Sequence, residues 1–316
     1  MRTYRTFICL SVFNVLLCHS AVSAPQTDLA GQWISFNRAG APNSNLQCYT
    51  PGNVGVSGGN LVVTTKSETA SCASLDLAQT TYKYTSGFVS MRNFNFLYGT
   101  VEFRAKFGGG AGTGAWPIVW MEDASCQASD PTGTAGPCNG QEIDIAEILH
   151  GDFIHVNQQI HVNDQKQNDG CTAPAADVSQ NFHVYQLLWS PGSLVFKIDG
   201  ATTCTISGKQ VPNAPMYVKI NNFVGDEGGP VNEASLPWTT LVDYIKVTQG
   251  LAVIFNDDFN AASTIEAAPP TPPSSYRPME PTAPPRGSHR RLGLILLCAL
   301  VVIAVIIATK VIRPTR

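Results

Sequence analysis

The sequence predicts an all-β fold, a sandwich or barrel of short strands. Three observations carry the prediction. Between Trp33 and Val247 the chain reads as brief β-branched and aromatic runs separated by Gly, Asn and Pro turns. No long amphipathic helix interrupts them. The stretch Glu142-Ile143-Asp144-Ile145-Ala146-Glu147 alternates carboxylates with aliphatic side chains at the period of a strand.

The strands follow in order. Asn60–Thr65, Gly87–Arg92, Gly99–Phe107, Phe153–Val162, His183–Trp189, Leu194–Ile198, Met216–Asn221 and Val242–Val247 all carry strand-type composition. Asp199-Gly200 marks a tight hairpin turn. Gly108–Gly114 is glycine-rich but has neither the Lys-Ser/Thr ending nor the following helix of a phosphate cradle. It reads as a loop on the rim of a cleft. Trp116 and Trp120, four residues apart, share one face if their run is extended. Thr248–Gly250 makes a turn, and Leu251–Phe259 reads as one more strand.

The carboxylate stretch is the centre of the chain. Residues at i and i+2 share a face, so Glu142 and Asp144 point one way while Ile143 and Ile145 point into a core. Simple parity would turn Glu147 inward. A β-bulge at Ala146 returns it to the carboxylate face, and Ala is small enough for that position. Three acids on one strand face repel one another, and Asp and Glu are poor strand formers. Such a cost points to chemistry. A retaining glycosidase needs two carboxyl groups about 5–5.5 Å apart.

The ends are different in kind. Met1–Ala24 has Arg2 and Arg5, an apolar run from Phe7 to Cys18 and small residues before Pro25, the pattern of a secretory signal. Leu292–Thr309 is apolar throughout, long enough for a single membrane span, and Lys310, Arg313 and Arg316 follow it. Residues 266–291 are rich in Pro and read as an extended stalk. The expected organisation is a signal at 1–24, a catalytic domain at 25–265, the stalk, a transmembrane helix at 292–309 and a short cytoplasmic tail at 310–316. The protein is then expected at the cell surface, with its catalytic domain outside. Six cysteines remain between the ends: Cys48, Cys72, Cys126, Cys138, Cys171 and Cys204. They fit an oxidising compartment. Sequential pairing (48–72, 126–138, 171–204) is expected, since each pair brackets one loop or hairpin. From Pro25 to Ile265 there are 11 basic and 21 acidic residues. That acidic balance excludes nucleic acid as a partner, suits a neutral glycan and disfavours a sulfated one.

The ordered motifs resemble those of glycoside hydrolase family 16, in its laminarinase-like branch. E-I-D-I-A-E at 142–147 has the family's bulged spacing. Leu46–Pro51, Gly58–Val63, Tyr98–Lys106, Gly114–Met121, Phe182–Gly200 and Leu241–Val247 match in order, so the likeness runs from about Trp33 to Phe259. The resemblance implies a concanavalin A-like β-jelly roll of two curved antiparallel sheets with a cleft on the concave one. It implies a retaining mechanism with Glu142 as nucleophile, Glu147 as acid/base and Asp144 assisting between them. Trp116, Trp120 and His161 match cleft-lining positions, and Arg92 and Asn45 are candidates for substrate contact. Glu102 and Arg104 are expected as a structural or rim pair. No cofactor is required for catalysis. A structural calcium in the family draws on the position of Asp243. One departure stands out. The family's usual opening strand, F-x-D-E-F-N, is missing before Trp33, and Phe255-Asn-Asp-Asp-Phe-Asn260 resembles it at the other end. Leu251–Phe259 is therefore expected to pack antiparallel to Val242–Val247 as a relocated strand.

The leading expectation is a monomeric, membrane-anchored, retaining endo-hydrolase of β-1,3 or mixed β-1,3/1,4 glucans. The alternatives are a transglycosylase on the same glucans and a non-catalytic glucan-binding receptor.

Overall fold

In the computed structural model the described residues are 32–40, 45–72, 81–127, 140–162, 165–260 and 265–267. All lie in the first of two units of the chain, Met1–Ser274; the second is Ser275–Arg316. The expected signal, stalk, span and tail lie outside the described residues. Among the described residues no helix is long and apolar enough to cross a membrane.

The described residues form strands and short 3₁₀ turns, with no α-helix. The strands begin with β1 (Trp33–Ser35), β2 (Arg38–Ala39), β3 (Gln47–Tyr49), β4 (Val54–Ser57), β5 (Asn60–Ser71), β6 (Thr81–Ser86) and β7 (Phe88–Met91). The middle of the chain gives β8 (Gly99–Lys106), β9 (Ala115–Asp123), β10 (Gln141–Glu147), β11 (His155–Val162) and β12 (Gln165–Pro174). Then come β13 (His183–Ser190), β14 (Ser193–Ile198), β15 (Ala201–Ser207), β16 (Met216–Val224), β17 (Trp238–Gln249), β18 (Ala252–Asp257) and β19 (Ile265–Ala267).

Two sheets face each other. The first runs β12-β11-β10-β9-β16-β7-β1-β19 and the second β15-β14-β13-β8-β17-β5-β6-β3-β2, with β18 beside β17 and β4 beside β5. Pairing is antiparallel except for β1 with β19 and β3 with β6. The expected all-β sandwich is therefore present. Its core follows from period-2 alternation: β13 and β14 bury every second residue. Val119, Met121, Ile143, Ile145, Val218 and Ile220 from the first sheet meet Val101, Phe103, Tyr185, Leu187, Phe196 and Val242 from the second. Phe103 stacks on Tyr185 at 5.0 Å. Each such buried aliphatic side chain contributes about 1.5–3 kcal/mol.

Gly87 takes the chain from β6 in one sheet to β7 in the other. A Cβ there would lie 2.7 Å from the Asn53 carbonyl oxygen, so only glycine fits the crossing. At the opposite edge a disulfide, Cys171–Cys204, joins β12 of the first sheet to β15 of the second. Cys48–Cys72 ties β3 to the end of β5. Both match the expected pairing. Cys126 is disulfide-bonded as well, and its expected partner Cys138 lies outside the described residues.

The expected antiparallel packing of segment 251–259 is found. One half of β17 pairs with β5 and the other with β18, in the register Ile245↔Asp257. Its Asp257 is fully buried and accepts the Trp33 indole N–H at 2.9 Å. Phe255 and Phe259 pack on the same indole ring at 5.9 and 6.1 Å. The first and last strands thus share one cluster. The chain goes further than expected, since β19 returns to lie parallel to β1.

Candidate active site

The site is built on β10. Its register shifts against β9 between Asp144 and Ala146, and against β11 between Asp144 and Glu147. The extra residue lies in Ile145-Ala146, both fully buried in the core between the sheets. This is the bulge expected at Ala146, and it restores Glu147 to the face of Glu142 and Asp144.

Strand pairing then sets the outer face of the first sheet in rows. One row runs His161, Glu142, Glu122, Tyr217. The next runs Gln159, Asp144, Trp120, Lys219, Ser90, Ile34. The third runs Asn157, Glu147, Ile118, Asn221, Phe88. Trp116 and Phe223 pair just beyond it, their rings 4.3 Å apart.

The three acids have different surroundings. Glu147 accepts the Trp116 indole N–H on Oε1 at 2.8 Å and the Gln159 amide on Oε2 at 2.8 Å. Asp144 is 1 % exposed. Its Oδ2 lies 3.0 Å from His161 Nε2, and its buried Oδ1 has no hydrogen-bond partner. Glu142 keeps 31 % of its side chain open, and its Oε1 is 3.9 Å from the same histidine nitrogen. Burial pushes all three carboxyls up from the ordinary carboxylate range, Glu142 and Asp144 furthest. The charge of Asp144 adds to the rise at Glu142, and that of Glu147 to the rise at Asp144. For Glu147 the Trp116 hydrogen bond opposes the rise. The cluster therefore holds protons at a pH where isolated carboxyls have lost them.

Ligand-type atoms of Glu142, Asp144 and His161 all lie within 4.8 Å of one another, as they would around a metal ion. The calcium expected at Asp243 fits less well. Asp243 Oδ2 accepts from Arg104 Nη1 at 2.7 Å, so a guanidinium already neutralises it. Arg104 is thus paired with Asp243. Its expected partner Glu102 accepts instead from Lys246 and Gln186.

The other expected site residues are spread out. His161 joins the carboxylates directly. Trp116 is half-buried and bonds Glu147 rather than standing apart as a platform. Trp120 is on the same face but only 8 % exposed, its ring covered by Lys219 Nζ at 4.1 Å and its indole N–H held by Asn221 Oδ1 at 2.7 Å. Asn45 is buried beside the end of β16, where Leu46 N donates to the Val224 carbonyl. Arg92 follows β7, and its backbone N–H donates to Gln32. Neither makes a described contact with the carboxylates. Reading the sequence missed Gln159, Asn157, Lys219, Glu122 and Phe223. The alternation Asn157, Gln159, His161 in β11 was the available signal. So was a lysine in the middle of the apolar run of β16.

A separate depression of about 580 Å³, lined by Tyr98, Leu188, Trp189 and Val195 among others, lies on the second sheet. It contains no carboxylate and no histidine. The carboxylate row, not cavity size, marks the candidate site.

Fold and site together define a glycosidase-type sandwich, and the comparisons agree. The profile of the family described as glycosyl hydrolases family 16 matches residues 52–246. The chain belongs to that family. Among curated relatives, a keratan-sulfate endo-1,4-β-galactosidase of Sphingobacterium multivorum is 29 % identical over 189 residues, covering 56 % of this chain and 43 % of that protein. A β-1,3-glucan-binding protein of Penaeus monodon is 27 % identical over 190 residues, covering 48 % and 50 %. The chain thus spans half or less of the length of these relatives. Among solved structures, the laminarinase catalytic domain of Thermotoga maritima superposes with a TM-score of 0.57 at 27 % identity, covering 66 % of this chain and 84 % of that one. A non-specific endo-β-1,3(4)-glucanase, co-crystallised with 1,3-β-D-cellotriosyl-glucose, gives 0.58 at 29 %, covering 69 % and 88 %.

Proposed function

We propose that the chain is a retaining β-glucan hydrolase acting on β-1,3 or mixed β-1,3/1,4 linkages. The observation that carries this reading is the bulge at Ile145-Ala146, which sets Glu142, Asp144 and Glu147 on one outer face. A strand has no structural reason to gather three carboxyls there.

Glu142 attacks the anomeric carbon as a carboxylate. Glu147 donates its proton to the leaving glycosidic oxygen, then takes one from the water that opens the glycosyl-enzyme. The two roles need one carboxyl ionised and one protonated. Burial and the Asp144 charge raise Glu142 further than Glu147, so an ionised Glu142 requires that Asp144 carry a proton, with the His161 charge opposing the rise. Asp144 is the deepest of the three and the natural holder of the shared proton. Protonated, it leaves Glu142 ionised beside it. Trp116 and Gln159 fix both oxygens of Glu147 and so aim its proton. No metal is needed for these steps. A signal at the start of the chain and a membrane span near its end would place the domain on the cell surface.

The glucan linkage is favoured by the laminarinase and glucanase likeness and by the acidic surface. The galactosidase relative names a sulfated glycan, which that surface disfavours. A binding-only reading is favoured by the glucan-binding relative. Transglycosylation uses the same two carboxyls with a sugar hydroxyl in place of water. The test is incubation of the protein with laminarin and with mixed-linkage glucan, beside Glu142→Gln. New reducing ends lost in the variant support hydrolysis. Longer products without new reducing ends mean transfer. Binding by both proteins without any reaction means a receptor.

A further inference from the structure

The outer face of the first sheet is not uniformly open. Along the Glu147 row, Thr172 on β12 is exposed and Asn157 on β11 half-buried. Glu147 is then 4 % exposed, Asn221 on β16 0 %, and Phe88 on β7 3 %. The adjoining row behaves alike, with Lys219 at 2 % and Ser90 at 1 %. Polar groups such as Asn221 and Lys219 on the outer face of an edge-to-edge sheet are buried only if something covers them.

The cover comes from the N-terminal segment. Phe36 stacks on Phe88 at 3.8 Å, and Tyr49 meets Phe88 edge-on at 5.0 Å. The Arg38 guanidinium lies over the Phe36 ring at 5.1 Å. Phe36, Tyr49 and Phe88, with Ile118 and Trp120, form an apolar cluster separate from the main core, on the other side of the sheet. Burial lifts the Tyr49 hydroxyl above its ordinary range, as expected for a phenol sealed in that cluster.

We propose that Phe36, Arg38 and Tyr49 wall off the cleft over β16, β7 and β1, so that glucan binds from the β12 side and stops at this wall. β9 is the strand between β10 and the wall. A strand spacing of about 4.8 Å leaves room there for roughly one sugar unit. Cleavage then falls a fixed short distance from one chain end, in place of the internal cuts that the family resemblance implies. This sharpens the proposed hydrolysis and rests on it.

Two measurements test it. The first follows product sizes from a long linear β-1,3 glucan from the earliest times. One short product of constant length is expected, and Phe36→Ala broadens the sizes. A wide ladder of sizes from the wild-type protein at the outset overturns the proposal. The second needs no activity. An amine-reactive reagent read by mass spectrometry should label Lys219 at least about tenfold more slowly than the exposed Lys209, because Lys219 reacts only when the wall opens. Phe36→Ala or, if that variant does not fold, Tyr49→Ala should raise the Lys219 rate toward that of Lys209. Equal labelling of the two lysines in the wild-type protein overturns the wall. If no glucan is cleaved, the hydrolase reading fails, and the labelling still decides whether the cleft is closed.

Discussion

Glu147 is the residue on which the proposed chemistry turns, because both its oxygens are held by named donors. Glu147→Gln is expected to lower turnover about 10²–10⁴-fold on unactivated glucan. The loss should be much smaller on an aryl glucoside whose leaving group needs no proton. Equal losses on both substrates would argue against an acid role. Gln159→Leu removes one of those donors while leaving Trp116, so its expected effect is a shift in the pH profile with a smaller loss of rate. Asp144 carries a stability cost. Its folded-state affinity for a proton is raised by burial, so the native protein binds more protons than the unfolded chain just above the ordinary carboxylate range. Stability therefore falls as pH rises through that window. Asp144→Asn removes the share of the slope that Asp144 contributes. Its Tm should drop less than that of the wild type between pH 4 and pH 8, although activity is lost.

The bulge in β10 is the element that makes the site. Deleting Ala146 would remove the extra residue and leave Glu142, Asp144 and Glu147 at alternate positions of a regular strand, so all three carboxyls would still share the outer face. The deletion should therefore leave folded protein by circular dichroism, while turnover falls because Glu147 is re-spaced relative to its donors Trp116 and Gln159. The bulge could be read from the sequence because three acids at 142, 144 and 147 break parity by one residue. The strands with strong composition could be read as well, and β18 was placed by its likeness to a missing opening strand. Short pieces escaped. β1, β2 and β3 have two or three residues each, too few to show a period. β2, β3 and the link between β1 and β2 carry Arg38, Tyr49 and Phe36 over the outer face. Trp120 shows why the site was only partly legible. Spacing put it on the correct face, but nothing in the sequence showed that a lysine one strand away would cover its ring.

For the whole molecule, the two sheets are closed at opposite edges by different means. At one edge Cys171–Cys204 joins β12 to β15 across a sequence separation of 33. Replacing both cysteines by serine should cost about 2–4 kcal/mol in denaturant unfolding. The site rows begin on β11, which pairs with β12, so activity should fall with stability at that edge. At the other edge β18 pairs with β17, β19 pairs with β1 and Asp257 holds the Trp33 indole, so segments far apart in sequence close the sandwich together. The measurement that tests the central claim most directly is the anomeric configuration of the first product, followed by proton NMR as laminarin is cleaved. Double displacement on Glu142 predicts that the β-anomer forms first and then mutarotates. An α-anomer forming first would contradict the account, since it requires water, not Glu142, to attack the sugar.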